Sequence, residues 1–216
     1  MDYVYHLLRF FQDGGPFMYP IGVVFLVGIA VVIERWFYLN HALYLNRSAF
    51  DQILPLLQRS EFAKITRLAE DSSAPIARMI GAGVARMSTS RRRDDIELAM
   101  EEGVLEAIPA LQRRTGYLAM LANIATLLGL LGTIIGLIAA FTAVAAADPT
   151  QKATLLSLSI SVAMNTTAFG LMSAIPLLLF HSLLVSKTTE IVDSLEMASV
   201  KSLNIIAGMT AAVRAA

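Results

Sequence analysis

The residues in this chain that could do chemistry are hydroxyls and glycines set in long apolar runs. Thr133 stands between Gly132 and Gly136, with Gly129 one turn earlier. Further on, Ser157, Ser159, Ser161, Asn165, Thr166, Thr167 and Ser173 recur within one stretch, followed by Gly170 and Pro176 nearby. Ser159, Thr166 and Ser173 are spaced by seven, so they fall on one stripe of a helix. No Asp, Glu, Lys or Arg lies in Gly116–Ala147 or in Ala153–Ser186. Such a set can line a polar path without a fixed charge, and small residues let helices approach closely. It cannot neutralise a permeating cation by itself, because a cation in low dielectric needs a counter-charge or dense oxygen ligation. The competing reading is that the hydroxyls join helices or bond back to their own backbone.

The elements that must position these groups follow from the apolar pattern. At about 1.5 Å per residue, each run exceeds the roughly 30 Å of a bilayer core. The break Asp148–Lys152 is short, so the runs form a transmembrane hairpin. Phe17–Ile33, extendable to Leu39 and ending in Glu34-Arg35 and Trp36-Phe37-Tyr38, reads as an earlier span with an interfacial anchor. It has neither the basic start nor the small-residue cleavage site of a signal peptide.

The expected organisation is therefore an all-α integral membrane protein with three transmembrane helices, its N-terminus outside, and long helices extending into the cytoplasm. Residues 1–15 form an amphipathic segment, 16–39 the first span, and 40–115 a cytoplasmic helical domain. Residues 116–147 form the second span, 148–152 the outer loop, 153–186 the third span, and 187–216 a cytoplasmic C-terminal helix. Within 40–115, Ser73-Ala74-Pro75 reads as an N-cap by Ser73 and a helix start, and Met87–Ser90 as a turn. The helix opened by Asp94-Asp95 is expected to run past Pro109 into the second span. Of the Lys and Arg residues, twelve fall in 35–114, against Arg9 before the first span and Lys152 in the hairpin loop. The positive-inside rule puts 35–114 and the tail in the cytoplasm.

Composition narrows the function classes. Hydrophobic residues make up 56% and charged residues 16% of 216, which fits a multi-span membrane protein. Net charge is +0, which argues against nucleic acid, and Arg91-Arg92-Arg93 is neutralised at once by Asp94, Asp95 and Glu97. There is no cysteine, which excludes disulfides and thiol chemistry, and the three histidines have no metal-ligand spacing. No catalytic residues and no cofactor are expected.

At the hairpin the sequence resembles the ExbB–TolQ–MotA family of ion-driven stators. The residues that carry the resemblance are LANIATLLGLLGTIIGLIAAF (121–141) and SISVAMNTTAFGLMSAIPLLLFHSLL (159–184), with Ile33-Glu34-Arg35 at the first-span exit. The resemblance, on its ExbB-like branch, implies a bacterial inner-membrane protein and a homopentamer around two copies of a single-span subunit of the ExbD, TolR or MotB kind. That partner's membrane Asp accepts the ion, and a TonB- or TolA-like protein receives the work, as in protein transport. The resemblance also implies pore threonines at Thr133 and Thr167. One departure stands out: relatives of the ExbB and TolQ type carry Glu where this chain has Val162, and Thr166 replaces an Ala. Hydroxyls and carbonyls suit a hard cation better than a proton relay does. The expected ion path is thus Ser159, Asn165, Thr133, Thr166 and Thr167, the last three as ligands to Na+, with H+ as the alternative. Gly129, Gly132, Gly136, Gly170 and Pro176 are expected to pack or bend the helices. A small-solute transporter is the rival reading; three spans without an internal repeat speak against it.

Overall fold

The computed structural model describes residues 14–90 and 92–215, with side chains to residue 208. The amphipathic segment expected over the first residues, up to Asp13, and Arg91 lie outside the described residues. Among the described residues every regular element is a helix: α1 Met18–Gln58, α2 Phe62–Asp71, α3 Pro75–Thr89, α4 Arg93–Gln112, α5 Thr115–Ala146 and α6 Lys152–Ala215. Three of these helices are long and apolar enough to cross a membrane, so this is a multi-pass membrane protein. The chain divides into two compact units, Met1–Glu34 with Arg114–Leu183, and Arg35–Arg113 with Leu184–Ala216.

The first unit is built inside out relative to a soluble bundle. Its large apolar side chains face outward: Val23, Leu26, Leu127, Ile134, Ile138, Phe141, Leu178 and Leu179 are all exposed. Its interior is small. On α5 Leu118, Ala122, Ala125, Gly129 and Gly132 are buried, alternating by four and three along one face. On α6 Ala163, Thr166, Gly170, Ser173, Ala174 and Leu177 are buried. Lipid is as apolar as leucine, so large side chains gain nothing by turning inward, and close backbone contact between small residues holds the helices together. α1 joins through Gly28, where an added Cβ would press on the Leu177 side chain. The link between α5 and α6 is closed by Gln151 N–H to Asp148 O at 2.9 Å and Lys152 N–H to the same oxygen at 3.2 Å.

The second unit has an ordinary apolar core. Leu39, Ile53 and Leu57 of α1 are buried, as are Ile76, Met79 and Ile80 of α3, Met100 and Val104 of α4, and Leu184, Ile191, Leu195 and Ile206 of α6. Within this unit the buried Arg35 donates to Leu111 O and lies 4.7 Å from the Tyr38 ring centroid. Lys187 donates to Asn40 Oδ1 and sits 4.5 Å over the Trp36 ring, so α1 and α6 are tied by a cation held on an interfacial aromatic.

Three local expectations are corrected. The helix through Pro109 does not run on into the second span: α4 ends at Gln112, Arg113 N–H bonds to Pro109 O at 3.0 Å, and Arg114 takes φ +63. α4 passes through Pro109, and it is the left-handed residue Arg114 that ends the ladder. Arg114 then donates to Glu34 at 2.8 Å. Met87–Ser90 is not a turn, because α3 continues to Thr89 and Ser90 N–H bonds to Arg86 O at 2.8 Å. Finally, Ser73 does not cap α3. Ala74 occupies the cap position with Pro75 at N1, and Asn46 of α1 supplies the acceptor, taking the Ile76 N–H on Oδ1 at 3.1 Å.

Asn46 is 2% exposed, so its cap is a buried long-range hydrogen bond. Losing a side-chain cap costs about 1 kcal/mol. Asn46→Ala is expected to lower the Tm of the purified protein by about 2–4 °C, read by thermal unfolding in detergent. An unchanged Tm would remove Asn46 from the account of how α1 and α3 are joined.

Candidate functional site

The hydroxyls and glycines converge on one seam of the first unit, where α5 and α6 touch backbone to backbone. An added Cβ on Gly170 would lie 2.8 Å from Ala125 O and 3.1 Å from Gly129 Cα. One on Gly129 would lie 3.3 Å from Gly170 Cα and Thr167 Cα, and one on Gly136 3.0 Å from Ala163 Cβ. An added Cβ on Gly132 would collide with the Thr166 methyl group. These glycines are required by proximity: no side chain fits between the helices.

The close approach lets a hydroxyl of one helix reach a carbonyl of the other. Thr167 Oγ1 donates to Gly129 O at 2.9 Å. Gly129 O therefore serves its own helix and a second donor, and Thr167 is half-buried on the seam. Thr166, 2% exposed, has two carbonyls within reach: Gly14 O at 2.7 Å and Val162 O at 3.0 Å. A hydroxyl carries one proton, so one of these oxygens faces the Thr166 oxygen without a hydrogen between them. Gly14 leads into a turn that only glycine makes easily, with Gly15 at φ +76 and a Cβ there 3.1 Å from Val162 Cγ1. The seam is thus sealed on one side by the turn that starts α1.

The other predicted residues are distributed as follows. Thr133 is half-buried, and its Oγ1 donates to Leu130 O of its own helix at 2.6 Å; no hydrogen bond joins it to Thr166 or Thr167 within one copy. Ser159 and Asn165 are half-buried on α6 with no side-chain hydrogen bond among the described residues. Ser173 is 1% exposed and its hydroxyl has no hydrogen-bond partner among the described residues. Of the stripe Ser159–Thr166–Ser173, the last two therefore face the interior of the subunit. Pro176 lies inside α6, half-buried. The group that the residue patterns did not reveal is the Gly14 carbonyl. In the sequence Gly14-Gly15-Pro16 reads only as a chain break, since nothing in it says which helix the turn will rest on.

The seam holds no ionisable side chain, and no cluster of His, Asp or Glu able to bind a metal occurs among the described residues. It offers oxygens: hydroxyls and helix carbonyls with spare lone pairs, in contact with glycines. Such groups suit a cation path as well as a tightly packed helix pair.

Comparison with known proteins agrees with this frame. The family model described as MotA/TolQ/ExbB proton channel family matches residues 71–197, a range that includes α4, α5 and the seam-bearing part of α6. A biopolymer transport protein ExbB homolog of Methanothermobacter thermautotrophicus is 28% identical over 196 residues, 88% of this chain and 67% of that protein. A biopolymer transport protein ExbB-like 3 of Synechocystis is 27% identical over 77% of this chain and 79% of its own length. The biopolymer transport protein exbB1 of Vibrio cholerae is 28% identical over 76% of this chain and 73% of its own length.

Proposed function

Because this chain belongs to the MotA/TolQ/ExbB proton channel family, we propose that it is the pentameric stator subunit of an ion-driven motor, with the α5–α6 seam as its wall of the ion path. The observation that carries the reading is the seam itself: Thr166, Thr167 and the Gly129 and Gly14 carbonyls gathered at one level of runs, 116–147 and 153–186, that contain no Asp, Glu, Lys or Arg. The subunit does no covalent chemistry. It supplies oxygens, and a single-span partner of the ExbD or TolR kind supplies the carboxylate that a cation needs in low dielectric. In this reading the motor sits in the inner membrane with residues 35–113 in the cytoplasm and the hairpin loop outside, an orientation that the distribution of Lys and Arg supports. An elementary charge crossing the membrane releases about 2.3 kcal/mol per 100 mV, enough for a small conformational step. Relatives described as biopolymer transport proteins make work on macromolecules at the envelope, through a TonB- or TolA-like element, the output to look for.

Sodium is favoured over protons as the coupling ion. Val162 removes the carboxylate that a proton relay would use, and Thr166 adds an oxygen beside Thr167. Thr133 would reach the same ion from a neighbouring copy, since within one copy its hydroxyl serves its own helix. The test is cation flux into liposomes containing this subunit alone or with an Asp-bearing single-span partner, with sodium replaced by potassium at fixed pH and potential. Flux is expected only with the partner and only in sodium. Flux that persists in potassium and stops when the proton gradient is collapsed would make protons the fuel. Strong flux from the subunit alone would overturn the division of labour.

A further inference from the structure

The second unit contains a cleft of about 590 Å³ among α1, α3 and α4. Its walls are made by small residues: Ala42 of α1, Ala82 of α3, and Ala99, Gly103 and Ala107 of α4. Small side chains leave the room, and the volume falls within the roughly 300–1,000 Å³ of ligand pockets. The larger groups around the cleft are polar. Glu102 and Glu106 stand one turn apart on one face of α4, Arg78 comes from α3, and His41 and Tyr38 come from α1. All five are exposed. Arg78 uses one guanidinium hydrogen bond on Ser73 O at 3.1 Å, which leaves other donors open. Neither glutamate takes part in a hydrogen bond or ion pair among the described residues. Two carboxylates at this spacing repel and weaken their helix unless a cation lies between them. A metal ion does not fit, because no third acidic or histidine ligand joins the pair among the described residues.

The charges divide by helix, with the carboxylates on α4 and the guanidinium on α3, so a ligand that fits carries both signs. A purely anionic group would meet Glu102 and Glu106, and a basic peptide would meet Arg78. A phosphate joined to a primary ammonium satisfies both sides. The guanidinium fork matches phosphate oxygens, and an ammonium donates to carboxylates. Arg78 lies in the first turn of α3, just after Pro75, where the helix dipole also favours an anion. The sequence sets this cleft beside a membrane surface. Its α1 wall begins at Tyr38, in the aromatic cluster that closes the first span, and its α4 wall ends at Leu111, shortly before the second apolar run opens at Gly116. We propose that the cleft binds the headgroup of phosphatidylethanolamine from the adjoining leaflet, with the phosphate on Arg78 and the ammonium between Glu102 and Glu106. The acyl chains stay in the bilayer, and the small residues of α1 and α4 make room for the glycerol end of the headgroup.

The test is lipid retention by the full chain. It is placed in nanodiscs holding equal parts of phosphatidylethanolamine, phosphatidylcholine and phosphatidylglycerol with identical acyl chains. Native mass spectrometry then counts the lipids that stay on the released protein. Phosphatidylcholine carries the same phosphate, but its trimethylammonium has no N–H, so the comparison isolates the carboxylate contact. Phosphatidylethanolamine is expected to be retained about tenfold over phosphatidylcholine, the effect of one hydrogen bond to a charged group. Glu102→Gln combined with Glu106→Gln should bring that ratio near one, and Arg78→Gln should lower the retention of both lipids. Glycerophosphoethanolamine, added at the same total concentration as the lipid, should displace none of it, because the bilayer confines the lipid beside the cleft. Displacement by this soluble headgroup would make the ligand a cytoplasmic small molecule and overturn the lipid assignment. Equal retention of phosphatidylethanolamine and phosphatidylcholine by the unsubstituted chain would overturn the proposal whether or not the variants assemble. A preference that survives the double substitution would overturn it as well. The measurement needs neither a partner nor a gradient, so its failure leaves the stator reading to its own flux test.

Discussion

Replacing Thr167 with alanine is expected to abolish ion-driven output while the protein still inserts and assembles. The hydroxyl donates to Gly129 O across the seam at 2.9 Å. A single interhelical hydrogen bond in a membrane protein is worth about 0.6 kcal/mol on average and up to about 1.7 kcal/mol. That is small beside the packing of the whole hairpin, so the fold survives. The loss of function is large for a different reason. An ion that has shed part of its water needs oxygens at fixed positions, and Thr167 is one of few polar side chains at the level where α5 and α6 are closest. Thr167→Ser keeps the oxygen and should retain most of the output, whereas Thr167→Val keeps the shape and should fail as alanine does. The measurements are motor-dependent activity and size-exclusion profile for each variant. Full activity of Thr167→Val would show that the hydroxyl only packs helices.

Gly170→Ala is expected to have the larger effect on assembly. The added methyl group would lie 2.8 Å from Ala125 O and 3.1 Å from Gly129 Cα, and both are backbone atoms that cannot swing away. The helices must separate or slide. Over-packing of this kind costs about 1–3 kcal/mol. The displacement would also break the Thr167–Gly129 hydrogen bond one turn away, so activity and stability should fall together. Gly116→Ala makes a clean comparison, because nothing lies within 4 Å of its Cβ position and the change should be silent. Native mass spectrometry and thermal unfolding of the two variants read the difference. Gly170→Ala protein with unchanged assembly and Tm would mean that the seam is more yielding than its backbone contacts imply.

Much of this was legible from the chain alone. Uncharged apolar runs longer than a bilayer can only be helices that cross it, because lipid offers the backbone no hydrogen bonds. The buried faces were legible too: Ala122, Ala125, Gly129 and Gly132 alternate by four and three, and where solvent is apolar the small residues are the ones that touch. Other features depended on distant partners. Ser73 looked like the cap of α3 by its place in the sequence, yet the acceptor is Asn46, because a cap needs only an oxygen at the right point in space and α1 brings one there. The break at Arg114 was hidden for a similar reason: Arg113 and Arg114 carry no turn signal, and the left-handed residue is accompanied by an ion pair to Glu34.

The seam divides in the same way. The hydroxyl and glycine types and their spacing were written in the sequence, and they raised the expectation of a polar path without a carboxylate of its own. Which carbonyl each hydroxyl meets was decided only by the tertiary structure. Thr166 turns to Gly14 O, Thr167 to Gly129 O, and Thr133 back to Leu130 O, although the three residue types are the same. Periodicity reports which face of a helix a residue occupies. The height at which another helix begins is set by packing across the chain, and here that height brought the first glycine turn to rest on Thr166.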